Sequence, residues 1–217
     1  MLPINCQGQP MAKPFQVPAA PMHRVEQVLK RSRFITSLSR AENVETARAF
    51  INRIKDEFPD ATHNCWAFNA GPPGDTAFVG LSDDGEPHNS AGKPMLQTLL
   101  HSGVGEIAVV VTRYFGGVKL GGGGLVRAYS SSVALGLGEL PLMEKRVLSQ
   151  MSILLDYGQV DLFKRCLEAF KATVLAVEYA DRVLYELELP EDEVEELSTQ
   201  VTDLSSGRAV LTQAGTK

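Results

Sequence analysis

No stretch of this 217-residue chain approaches the ~18 consecutive apolar residues that a membrane-spanning helix needs, which excludes a helical span. Cysteine is scarce: Cys6, Cys65 and Cys166 are far apart, odd in number and without a CxxC pair. Neither a disulfide framework nor a zinc site is suggested, and reduced thiols of a cytoplasmic protein are the simple reading. With four histidines and no HExxH, metallopeptidase chemistry is not expected, and neither a metal nor a cofactor is expected. The segment from Met1 to Pro21 lacks a continuous apolar core, so it is not a secretory signal, and its five prolines argue against a helix. Residues 1–17 are expected to be a flexible leader, with Met1 and Met11 both available as the start. There are no internal repeats.

Excess basic charge is also missing. The net charge is −5, which argues against a strongly basic nucleic-acid binder. The balance is uneven, however. From Lys145 onward there are 8 basic and 13 acidic residues, against 13 of each before it. A polyanionic partner should therefore favour the first part of the chain.

Hydrophobic patterning predicts two mixed α/β domains, over 18–141 and 145–217. In the second, Val147, Ser149, Met151, Ile153 and Leu155 lie on one face of a strand, with Gln150, Ser152 and Asp156 opposite. A helix carrying Leu162, Phe163, Cys166, Leu167 and Phe170 follows, then a valine-rich strand over 173–179. Val183, Tyr185, Leu187 and Leu189 alternate in a third strand. Pro190 and its acidic neighbours open a second helix with the stripe Val194, Leu197, Val201 and Leu204, and a short strand over 209–212 closes the pattern. The order is β-α-β-β-α-β, the ferredoxin-like arrangement. In the first domain we expect a strand over 25–37 and a helix capped by Asn43 with the stripe Val44, Ala47, Ile51, Ile54 and Phe58. Strands over 63–69 and 77–81, a helix over 92–101, a strand over 107–111 buried on both faces, and a helix over 125–137 should follow.

Three segments between these elements carry polar residues that could do chemistry. Arg113-Tyr114-Phe115-Gly116-Gly117-Val118-Lys119-Leu120 runs into Gly121, Gly122, Gly123 and Gly124 and then into a helix bearing Arg127. Glycines allow close approach of a ligand to backbone amides, and a helix N-terminus presents free donors and partial positive charge. Arg113, Tyr114, Lys119 and Arg127 would line such an anion site. The alternative is that the glycines serve tight packing or sharp turns. The segment is not a P-loop, since no Lys-Ser/Thr pair follows the glycines, and no suitably placed acid supports a dinucleotide fingerprint. Ser82-Asp83-Asp84-Gly85-Glu86-Pro87-His88, with Lys93 nearby, is a possible acidic site through Asp83, Asp84, Glu86 and Lys93, in which Asp83, Asp84, Glu86 and His88 could ligate Mg²⁺ or a similar ion; the simpler reading is an Asp-Gly turn with solvated carboxylates. His63 beside Cys65 invites a nucleophile pair, but a buried strand thiol is the simpler reading. Trp66, Tyr114, Phe115 and Tyr129 could stack bases or pack in the core. Lys30-Arg31-Ser32-Arg33, placed on the first strand, could touch phosphates or guard a strand edge.

Taken together, Lys-Arg-Ser-Arg-Phe-Ile from Lys30, Ser-Asp-Asp-Gly-Glu-Pro from Ser82, Ala-Gly-Lys-Pro-Met from Ala91 and Val-Thr-Arg-Tyr-Phe-Gly-Gly-Val-Lys-Leu-Gly from Val111 resemble the signature of the IMPACT family, in its bacterial YigZ-type form. The resemblance spans about residues 18–217. It implies a first domain with the fold of the second domain of ribosomal protein S five, shared by domain IV of elongation factor G. It also implies a ferredoxin-like second domain resembling domain V of that factor. Eukaryotic relatives regulate translation by competing for an activator of the kinase that senses uncharged tRNA, but they carry a different N-terminal domain, so the resemblance does not imply that partner here. What the kinship implies here is a translation-associated regulatory or binding protein in contact with RNA, the ribosome or another phosphate-bearing ligand, with no sequence-specific DNA contact and no catalytic residue assigned. The alternative is an enzyme acting on a nucleotide or phosphorylated small molecule. Some such kinases share the first fold, and the stretch through Ser130, Ser131 and Ser132 is superficially similar to their glycine-serine loop.

Overall fold

The computed structural model describes residues 14–214, which fall into two compact units meeting in sequence at Lys145 and Arg146. The first contains β1 (Phe15–Pro18), β2 (His23–Leu29), β3 (Ser32–Arg40), α1 (Val44–Glu57), β4 (His63–Asn69), β5 (Val79–Ser82), α2 (Gly92–Leu100), β6 (Ile107–Tyr114), α3 (Gly122–Glu139) and β7 (Leu142–Lys145). Its main sheet has the order β2-β3-β6-β4-β5, with antiparallel pairing throughout.

The central strand β6 explains the layering. Ala108 and Val110 join the cluster formed with Ala47, Phe50, Ile51 and Ile54 of α1. Val109 and Val111 point the other way, into a cluster with Met95 and Leu99 of α2 and Leu125, Ala128, Tyr129 and Val133 of α3. A strand whose alternate residues are all apolar is thus covered on both faces by helices. Asn43 caps α1 as its spacing predicts: its side chain accepts from the Thr46 amide at 2.9 Å, and the Thr46 hydroxyl returns the bond in a capping box.

Three expectations are corrected. The strand over 25–37 is a hairpin, because Lys30 (φ 44°) and Arg31 (φ 68°) form a two-residue turn between β2 and β3. Such turns normally use Asn-Gly, so two basic residues gave no turn signal. The basic run therefore sits at a hairpin tip rather than along a strand. Second, α3 begins at Gly122, so three of the four glycines are its first turn rather than a loop before it. Third, the junction over 141–145 is largely a strand: β7 pairs antiparallel with β1, register Phe15↔Lys145 to Pro18↔Leu142. Residues 15–17 of the expected leader are accordingly in a sheet, and residues 1–13 lie outside the described residues.

The second unit contains β8 (Leu148–Leu155), a 3-10 turn, α4 (Val160–Leu167), β9 (Thr173–Tyr179), β10 (Val183–Pro190), a second 3-10 turn, α5 (Val194–Leu204) and β11 (Val210–Ala214). The β-α-β-β-α-β order is the one expected, with sheet order β11-β8-β10-β9. Met151, Ile153, Leu155, Val183, Tyr185, Leu187 and Leu189 form one face and pack on Phe163, Val194, Leu197 and Val201. Leu162, read as part of the inner stripe of α4, is half-exposed instead. Among the described residues, no helix is long and apolar enough to cross a membrane.

Candidate functional site

The motif residues converge at one end of the first unit's sheet, where β6 runs out. Along β6 the alternation that buries Val109 and Val111 also buries Arg113, which is only 5% exposed. Its Nη1 donates to Glu86 Oε1 at 2.5 Å, and Nη2 donates to Ser32 Oγ at 3.3 Å. The guanidinium carbon stands 5.6 Å from the Phe34 ring centroid and 5.5 Å from that of Phe115. Glu86 Oε1 also accepts from the Tyr129 hydroxyl at 2.8 Å, while Oε2 lies 4.0 Å from His63 Nε2. A buried charge needs such partners, and here each ion finds its counter-charge, although Arg113 Nε is buried without a hydrogen-bond partner. Arg113 is thus committed to a protein carboxylate and does not face an external anion as its place in the motif suggested.

The acidic segment is committed as well. α2 has no capping side chain of its own at Ala91. Asp83 supplies the cap from upstream: its carboxylate accepts from the amides of Asn89 (2.8 Å), Ala91 (3.0 Å) and Gly92 (2.8 Å). Burial alone would raise its pKa, but the three amides outweigh that, and its carboxyl sits below the ordinary value. Asp84 accepts from Lys55 Nζ at 2.6 Å and from the Asn64 amide at 2.7 Å, tying α1 and β4 to the turn. Its pKa is likewise lowered against the pull of burial. Lys93 points into solvent. Asp83, Asp84, Glu86 and Lys93 are neighbours in the fold, but the three carboxylates are structural ties. Among the described residues, no group of three or more His, Cys, Asp or Glu could hold a metal ion.

Cys65 is fully buried, with Sγ 3.4 Å from the Tyr129 hydroxyl, and burial pushes its thiol up to about 12. Tyr129, also buried, is raised by the same cause. His63 Nδ1 is 2.8 Å from the Asp84 carbonyl oxygen, so the ring is held by the acidic turn rather than paired with the thiol. The nucleophile pair is not assembled.

The glycine segment differs, because it stays open. Gly121 (φ 75°) delivers the chain into α3, and the first helical bond closes from the Leu125 amide to the Gly121 carbonyl at 2.9 Å. The amides of Gly122, Gly123 and Gly124 precede that bond, and no side chain caps them. A Cβ at Gly121, Gly122 or Gly123 would meet nothing within 4 Å. Packing therefore does not account for glycine at Gly122 and Gly123. Lys119 and Arg127 flank this end and are exposed.

Two features were not found from sequence. The hairpin tip presses against the loop: a Cβ on Gly116 would stand 1.9 Å from the Arg31 carbonyl oxygen. Ser32 Oγ, which accepts from Arg113, also accepts from the Gly116 amide at 3.3 Å. This brings Lys30 and Arg31 to the loop that leads to Lys119. The turn type hid the first feature. The shared face of Val109, Val111 and Arg113 was the available signal for the second, since an arginine in that register requires buried partners.

A strongly layered α/β unit followed by a β-α-β-β-α-β unit makes this a two-domain mixed α/β protein. The Impact N-terminal domain matches residues 30–137, and the Domain of unknown function (DUF1949) matches residues 153–208. The chain is 43% identical over 191 residues to the IMPACT family member YigZ of Escherichia coli strain K12, covering 88% of this chain and 93% of that protein. It is 45% identical over 188 residues to an IMPACT family member of Haemophilus influenzae, covering 86% and 90%. A crystal structure of a hypothetical protein superposes with a TM-score of 0.66 at 39% identity, covering 95% of this chain and 100% of that one. The chain belongs to the IMPACT family.

Proposed function

We propose that this protein is a cytoplasmic, translation-associated binding protein that grips the phosphates of RNA through the glycine end of its first unit. The observation that carries the reading is the contact between Arg31 and Gly116, which brings the hairpin carrying Lys30 and Arg31 against the loop that leads to Lys119. Lys30 and Arg31 arrive from the hairpin, and Lys119 and Arg127 arrive from the loop and from α3. The loop from Phe115 to Arg127 contains no carboxylate. The bare amides of Gly122, Gly123 and Gly124 add hydrogen-bond donors and the positive end of a helix dipole to the same segment. Arg113 and Tyr114 belong to the supporting structure: Tyr114 donates to Asp60 at 2.9 Å and lies under Arg33.

The proposed kinship of the first unit with the second domain of ribosomal protein S five and domain IV of elongation factor G supports a ribosomal setting. So does that of the second unit with domain V, a reading supported by the β-α-β-β-α-β order of that unit. Both are analogies of fold, and the function rests on the site. The acidic second unit would face protein or solvent. The carboxylates that an enzymatic reading would enlist as acid, base or metal ligands are those already engaged by Lys55, Arg113 and backbone amides.

Binding to ribosomes and to short RNA at low salt tests the reading. Log affinity should fall linearly with log salt, and reversing Lys119 and Arg127 to Glu should weaken binding by at least about tenfold and flatten that slope. Undetectable binding by the native protein at low salt refutes it.

A further inference from the structure

Four aromatic side chains near the motifs could have served as stacking platforms, and the fold leaves only one of them in that condition. Tyr129 is fully buried. Trp66 lies parallel to Phe68, ring centroids 5.9 Å apart. Tyr114 is held by Asp60 and covered by Arg33. Phe115 keeps 47% of its surface exposed, at the first position of the cationic loop.

Its ring is not loose. The Phe115 amide donates to Thr62 Oγ1 at 3.0 Å, and the next amide, of Gly116, donates to Ser32 Oγ. On one side stands the Arg113 guanidinium, 5.5 Å from the ring centroid, itself clamped by Glu86 and Phe34. A phenyl ring backed by a buried guanidinium is an ordered surface, and holding it costs little further entropy on binding. Exposing it has an energetic cost in water, and Val118, 39% exposed, extends the apolar area beside Lys119.

We infer that Phe115 is a stacking platform for an unpaired base of single-stranded RNA, whose flanking phosphates are met by Arg31 and Lys119. The inference rests on the RNA-binding reading above and narrows it. Bases inside an A-form duplex offer no free face to a ring, whereas unstacked bases do. The buried Glu86–Arg113 pair then has a positioning role, because it fixes the ring from behind without touching the ligand.

The test uses the full-length protein, fluorescence anisotropy at low salt, a short oligouridylate and a blunt RNA duplex of equal length. The native protein should prefer the single strand. Phe115→Ala should lower affinity for oligouridylate by about tenfold, and Phe115→Trp should retain it. Neither change should alter the salt slope, which reports phosphates, nor duplex affinity by more than about twofold. Circular dichroism melts of both variants should match the native protein, since the ring is half in solvent. Equal affinity of Phe115→Ala and native protein for oligouridylate overturns the inference, as does a native preference for duplex. If the native protein binds both RNAs while Phe115→Ala is silent, phosphate contact stands and stacking falls. If it binds neither, both readings fall together.

Discussion

The carbonyl oxygen of Arg31 occupies the space into which a side chain at Gly116 would project, 1.9 Å from the position of its Cβ. Two segments more than 80 residues apart in sequence are thereby packed backbone to backbone. Neither partner of a backbone–backbone contact can rotate away, so Gly116→Ala should destabilise the first unit by about 3 kcal/mol and loosen the hairpin. Chemical denaturation measures the cost, and a native-like midpoint would refute the assigned packing.

Gly122 and Gly123 should behave in the opposite way. Nothing lies within 4 Å of a Cβ at either, and neither has positive φ. Alanine there should leave stability unchanged or raise it by about 0.5 kcal/mol through helix propensity and a stiffer unfolded chain. The same methyl groups would crowd the open amides. Double substitution should therefore weaken RNA binding while Tm holds or rises, a divergence visible in melts and anisotropy run on one preparation.

The Glu86–Arg113 pair makes a third case. Glu86→Gln leaves a nine-tenths buried guanidinium without its counter-ion and should cost about 3–5 kcal/mol. Glu86→Leu combined with Arg113→Met removes both charges and should recover most of that loss. A double variant no better than the single one would mean that the pair is not the unit of stability.

Acid sensitivity follows from Asp83 and Asp84. Both carboxyls titrate below their ordinary value in the folded protein. The unfolded chain therefore binds protons first as pH falls, near pH ~3.9, and the stability these groups contribute is complete above that pH. It is lost as pH drops through their lower folded values. Asp83→Asn should cost roughly 1 kcal/mol at neutral pH, typical of a lost helix cap, and flatten the acid limb of the stability curve. An unchanged pH profile would contradict the capping role.

Cysteine chemistry gives a further check. With its thiol pushed up to about 12 by burial, Cys65 should resist iodoacetamide at neutral pH in the native state and react once the chain is unfolded. Peptide mass spectrometry separates it from Cys166, whose raised but less buried thiol should label slowly. Rapid native labelling of Cys65 would reopen its reading as a nucleophile.

What the sequence made legible were the elements whose side-chain period matches their burial. The apolar run of β6 announced a strand covered on both faces, and the alternation of Val183, Tyr185, Leu187 and Leu189 fixed the third strand of the second unit. Asn43 marked the start of α1 because its capping partners are local. The misses share a cause, since each depends on contacts distant in sequence or on an unusual backbone. Lys30 and Arg31 turn with positive φ although neither is a residue that favours it. Asp83 caps a helix that starts nine residues later, so no local capping pattern reveals it. Arg113 looked like a free cation because Glu86, Ser32 and Tyr129, which engage it or its carboxylate, come from three other parts of the chain. Of the proposed site, the glycines, Lys119 and Arg127 were visible in sequence, and the basic run and Phe115 were open between two readings each. The fold was needed to move the basic run from a strand to a hairpin tip and to leave Phe115, of the four aromatics, exposed beside the loop.

The pairing of β1 with β7 also bears on how the chain is made. Phe15–Pro18 emerges early in synthesis, yet the strand it joins, Leu142–Lys145, is the last of its unit to be translated. The first unit can be zipped shut only after its entire length has left the exit tunnel. Until then the early segment has its contacts with Val104 and Gly105 to hold it, and a ribosome halted before Lys145 has emerged would hold a nascent product whose β1 still lacks its partner strand.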